Sequence, residues 1–277
     1  MLLAILLNSA FADALPQGVQ SVYTGVSYGT WSAFESKGNK NSLPQNAAVS
    51  QVLSHTQYTY GIQDGIDLSL SIPVSHVSVS TGMVDAVTGI GQLGLASNID
   101  LWQKDSLSLT GQFALSTGSL HAKDRGKLTN IGDGSTQVRA GVTVGQQWSI
   151  GSGYAYAGAR GWYVFKIPST FDFDPKYPAD DVTYGIYIGG GNKGYQASIF
   201  VDGFMRLNGV DYPAPASVAS MEGFTALKAS QMKVGINDSI SWKDWTLSGY
   251  IATSVLAKNN PMDEVIGGFG LSYLIQP

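Results

Sequence analysis

A chain of 277 residues with no cysteine, 13% charged residues and a formal net charge of −4 excludes several classes of protein at once. Without cysteine there is no disulfide framework and no thiolate metal site, and an acidic balance argues against a nucleic-acid surface, whose phosphates attract basic groups. The charged share is about half of the roughly 25% usual in soluble domains, so much of the surface meets something other than water, yet no apolar run beyond the N-terminus approaches the ~20 residues of a spanning helix.

The chain opens with an apolar stretch from Leu2 to Leu7, followed by Ala10-Phe11-Ala12 in the small-x-small pattern that precedes a cleavage point. Asp13, Leu15 and Pro16 then end the run. Residues 1–12 are expected to be an export signal, and residues 13–277 one domain. From Val19 onward apolar residues recur with period two. Ile66, Leu68, Leu70, Ile72 and Val74 alternate with Asp67, Ser69, Ser71 and Pro73, and Val138, Ala140, Val142 and Val144 alternate with Gln137, Arg139, Gly141 and Thr143. Such alternation predicts strands with one apolar and one polar face. Twelve are expected, at 19–34, 49–62, 65–77, 90–101, 106–117, 136–147, 153–166, 181–189, 194–206, 224–236, 244–256 and 265–275.

Alternation alone suits a soluble sandwich as well as a membrane barrel. The connections separate the two. Short ones (Gln63-Asp64, Trp102 to Asp105, Trp148 to Ser152, Gly190 to Lys193, Asn237 to Lys243) alternate without exception with long ones at 35–48, 78–89, 118–135, 167–180, 207–223 and 257–264. Tight periplasmic turns and longer extracellular loops are the asymmetry of outer-membrane barrels. The predicted fold is therefore all-β: a single transmembrane antiparallel β-barrel of about twelve strands in the bacterial outer membrane. Trp102, Trp148, Trp242 and Trp245 flank short connections, with Trp31 and Trp162 toward the opposite strand ends, so these six are expected to form two aromatic girdles. The last strand, with Phe269, Leu271, Tyr273 and Ile275 on one face, resembles the signal read by the barrel-assembly machinery, although Gln276-Pro277 replace the usual terminal Phe.

Two further stretches carry a family resemblance. Tyr60-Gly61-Ile62-Gln63-Asp64-Gly65-Ile66-Asp67-Leu68 runs on to Ile72-Pro73, and Gly89-Ile90-Gly91-Gln92-Leu93 follows. Together they resemble the transporter-like outer-membrane barrels of the meta-pathway of phenol degradation, with Gln92 standing where that family has an acidic residue. The resemblance implies uptake of small hydrophobic or aromatic compounds and transfers no binding residues. Its motifs chiefly describe hairpin turns, where Gly tolerates positive φ and Asp64 can bond the turn backbone.

No catalytic residue, metal or cofactor is predicted. His55, His76 and His121 are far apart, and His55 and its neighbour Ser54 point to opposite faces of a strand. Asp172, Asp174, Asp180 and Asp181 crowd one loop without the pattern of a calcium loop. More informative are charges within strands. Asp67, Arg139, Asp202 and Arg206 sit on the polar parity, and Arg160 and Lys233 join them as lumen-lining candidates, because charge on the lipid face costs ~2–4 kcal/mol for Arg near the midplane. These groups either set a transverse field in a narrow channel or pair to fill the barrel. The expected function is a porin-like channel for passive uptake by a monomer, with outer-membrane lipid, the assembly machinery and a small-molecule solute as partners. The alternative is a structural or adhesive barrel whose long loops, bearing Phe171, Phe173, Tyr177 and Tyr212, bind an external partner.

Overall fold

The structure is a computed structural model, and it describes residues 14–36, 39–81, 86–118, 135–167, 180–207, 229–258 and 260–277. The export signal expected at 1–12, His121, Asp172, Asp174 and the four loop aromatics lie outside these residues. Twelve long strands run antiparallel in chain order: β1 (Gln20–Trp31), β2 (Val49–Gln63), β3 (Ile66–Val79), β4 (Gly94–Lys104), β5 (Leu107–Ser116), β6 (Thr136–Ile150), β7 (Gly153–Ile167), β8 (Asp181–Asn192), β9 (Tyr195–Arg206), β10 (Ser230–Trp242), β11 (Trp245–Lys258) and β12 (Val265–Ile275). Each pairs with the next, and β1 pairs with both β2 and β12. The sheet therefore closes and leaves these strands no open edge.

Alternation gives every strand two chemically distinct faces, and closure decides where they look. On β3, Leu68, Leu70, Ile72 and Val74 are exposed while Asp67, Ser69 and Ser75 are buried. Ile186, Ile188, Ile236 and Phe269 are likewise more than half exposed. Burial of such a side chain is worth about 1.5–3 kcal/mol, so a band of them around the wall is stable only against lipid hydrocarbon. The molecule is an outer-membrane β-barrel turned apolar side out.

Five two-residue turns close the hairpins at one end. Lys193 and Gly194 both take positive φ (47° and 87°), the conformation of a type I′ turn whose twist matches the flanking strands. Gly65, Asp105, Gly151 and Lys243 supply positive φ in the other four. The tenth strand differs from the sequence expectation. It spans Ser230–Trp242, and the hairpin turn is Lys243–Asp244, so Asn237, Asp238 and Ser239 lie within the strand despite their turn chemistry. The fourth strand is also displaced, because Val87–Ile90 forms a separate short strand on β3 before Gly91 to Leu93 break the run.

At the opposite end the first long connection folds back over the barrel. Ala33–Ser36 pairs with Asn39–Ser42 and with Pro261–Met262, and Lys40 forms an ion pair with Asp263. Leu43 and Ala47 from this connection pack on Val49, Val77 and Val79, with Trp31 and Val87 at the edge. An apolar plug therefore packs against the inner wall at the extracellular end.

Candidate solute path in the barrel lumen

All six lumen-lining candidates lie on the inner face, at three levels. At the periplasmic end, Asp67 is 1% exposed. Asn98 donates its side-chain amide to both carboxylate oxygens (3.1 and 3.2 Å), and the backbone N–H groups of Asn98 and Leu15 add two further bonds. The segment preceding β1 crosses the mouth here, with Ala14 N–H donating to Asp100 and Gln17 N–H to Asp64. Gly61 makes this crossing possible, since a Cβ there would stand 2.8 Å from the Leu15 carbonyl oxygen. From Asn98 the network runs to Gln112 (2.9 Å) and on to Thr143 (3.0 Å). With Gln57, Thr59 and Ser69 bonded together on β2 and β3, one side of the lumen is a wall of neutral hydroxyls and amides.

At mid-height the other side is ionic. Arg160 on β7 donates to both oxygens of Asp202 on β9 (2.7 and 2.8 Å), reaching across the intervening β8 at Gly185, its register partner. Lys233 faces Asp202 in register but places its ammonium on Glu264 (2.7 Å). Toward the extracellular end, Asp181 accepts from both Lys166 (2.6 Å) and Arg206 (2.8 Å), and Arg139 donates to Gln137. Asp180 accepts from Tyr163 and from the Lys166 backbone. Two members of the acidic loop group, Asp180 and Asp181, therefore serve as hydrogen-bond and ion-pair acceptors, and no group of three metal-ligating side chains occurs among the described residues.

Between these levels aromatic rings line the wall. Tyr154, Tyr156 and Tyr187 follow one another with centroids 6.0 and 6.2 Å apart, and Phe200 packs with Ala252 and Ile266. The rings pack over glycines of neighbouring strands, Tyr187 on Gly158, Tyr156 on Gly189 and Phe200 on Gly235. Trp102, Trp148, Trp242 and Trp245 stand exposed at the turn end, with Trp245 against Tyr273 at 4.4 Å. Trp162 and Trp31 do not join a girdle. Trp162 shares the inward parity of Arg160 and lies over Gly141, and Trp31 packs on the apolar plug. Tyr28, Tyr163 and Phe165 occupy the exposed positions toward that end. His55 is 3% exposed, with neither ring nitrogen hydrogen-bonded among the described residues and Tyr23 beside it; His76 is outward and bonded to Thr88.

Sequence reasoning missed Lys166, Glu264, Asn98 and Gln112, and it names Asp181 only as part of an acidic loop. Lys166 shares the parity of Arg160 and was legible in principle. Glu264 and Asn98 owe their role to contacts across strands that only register reveals.

No protein-family model matches the chain, and no curated protein matches it. Among solved structures the fold is similar to an outer membrane channel from Pseudomonas putida F1, with a TM-score of 0.72 at 14% identity over 97% of this chain and 99% of that one. It is also similar to the translocator domain of the autotransporter NalP from Neisseria meningitidis (TM-score 0.51, 11% identity, 92% and 88% covered). The NanC porin follows at 0.50 and 8%, with 91% and 98% covered. At these identities the likeness establishes a shared fold, that of the outer-membrane barrel.

Proposed function

We propose that the protein is a monomeric passive channel that admits small solutes, hydrophobic or aromatic ones among them. The observation that carries this reading is the inner wall: amides and hydroxyls on one side, ion pairs on the other, and aromatic rings packed over glycines of neighbouring strands. Likeness to an outer membrane channel supports the reading, as do the hairpin motifs resembling the phenol-pathway barrels. In it, residues 1–12 are a removed export signal and the assembly machinery reads β12. The second reading, a structural or adhesive barrel, is favoured by the apolar plug at the extracellular end.

Solute flux into proteoliposomes separates them. The channel reading expects phenols and small aromatic acids to enter faster than through protein-free membranes, and faster than sugars of similar size. No acceleration for any solute would leave the structural reading standing.

A further inference from the structure

The tenth strand carries a carboxylate on the wrong face. Asp238 shares the outward parity of Ile236 and Ile240, both about half exposed, and is itself exposed. Its register neighbours are Ala197 on β9 and Gly249 on β11, and beyond Ala197 the row continues through Gly190 and Ala155. The row above is Ile188, Ile199, Ile236 and Ile251 across the same strands, and the row below holds Tyr195, Ile240 and Leu247. A transverse groove therefore crosses the lipid-facing wall, with small residues on its floor and bulky ones on its rims. The carboxylate lies in it: a Cβ on Gly249 would stand 3.1 Å from Asp238 Oδ1.

Among the described residues Asp238 has no hydrogen-bond or ion-pair partner. Ionisable groups facing lipid are costly and usually mark a function. The surroundings supply the partner's chemistry. Ala197 is two residues from the start of β9 at the Lys193–Gly194 turn, which the Ser241 N–H holds to β10 (2.6 Å). Ser241 is three residues from Asp238, about 10 Å along the strand. Trp242 and Trp245 mark the interface just below, and Lys243 occupies their turn. Neither Lys193 nor Lys243 is in an ion pair among the described residues. Negative charge inside the apolar band with positive charge at the periplasmic rim complements a zwitterion whose cation folds inward past its phosphate.

We infer that this groove binds an amine-bearing phospholipid of the periplasmic leaflet, phosphatidylethanolamine, with its ammonium on Asp238 and its phosphate at Lys193 and Lys243. A quaternary headgroup offers Asp238 no N–H donor, and an anionic one repels it, so the site discriminates by headgroup.

Native mass spectrometry of the purified full-length barrel, equilibrated with equal amounts of ethanolamine, choline and glycerol phospholipids of identical chains, tests this. The wild type is expected to retain the ethanolamine lipid about fivefold over the others, the scale of one exposed charge pair. Asp238→Asn should erase that preference while the folded, heat-modifiable band on SDS gels persists. Gly249→Leu, which fills the groove but keeps the charge, should erase it too. Equal retention of the three lipids by the wild type, or an unchanged preference in Asp238→Asn, overturns the inference. So does a dimer that Asp238→Asn abolishes, which assigns the groove to a second copy of the chain.

Discussion

Whether Arg160 reaches Asp202 depends on Gly185, because the guanidinium must cross β8 where any side chain would stand in its path. The pair is buried, with side-chain exposures of 12% and 2%, so its two members have very different worth singly and together. Asp202→Ala leaves a buried cation and is expected to cost about 3 kcal/mol. Replacing both residues with apolar ones of similar size should recover most of that. Urea unfolding from lipid bilayers, followed by tryptophan fluorescence, measures both; a single variant as stable as the wild type would refute the account of this pair. Gly158 works by the same geometry on Tyr187. Gly158→Val should swing the ring into the lumen and lower single-channel conductance, with a stability loss of about 1–3 kcal/mol from overpacking.

Strands were legible in this sequence because period two is a direct imprint of a two-faced sheet, and their inner charges followed from parity. Val138 to Val144 and Ile66 to Val74 needed nothing else. The tenth strand shows where such reading stops. Asn237, Asp238 and Ser239 have the chemistry of a turn, yet register with β9 and β11 holds them in extended conformation and the chain reverses at Lys243 instead. Trp31 and Trp162 depart from the expected girdle for a related reason: position near a strand end says nothing about face, and parity puts both inside. The segment at 14–18 and the apolar plug were invisible because each depends on contacts with residues distant in sequence, Asp67 and Asp100 for one and Val77 and Val79 for the other. A chain without cysteine permits a clean test of the β10 assignment. Single cysteines at Ile236 and Ile240 should resist water-soluble maleimides in proteoliposomes, whereas those at Asn237 and Ser239 should react through the lumen. The reverse pattern would shift the strand by one residue. At the mouth, Leu43→Asp should loosen the plug and raise conductance; an unchanged value would mean that the plug lies beside the path.

For the whole barrel, closure makes lipid the solvent of the outer face and leaves the inner face to hold a large set of polar and charged groups. Among the described residues the inner cations Arg160, Lys166, Arg206 and Lys233 each sit against a carboxylate, which offsets part of the cost of burying them. Asp67 is held by neutral amides. The proposed channel requires the space inside to be continuous from one mouth to the other. Planar-bilayer recording of the purified barrel reads that continuity as current. Discrete, ohmic current steps on insertion, larger for Leu43→Asp and smaller for Gly158→Val, are the expected result. Folded, membrane-inserted protein that adds no current above the bare bilayer would contradict it.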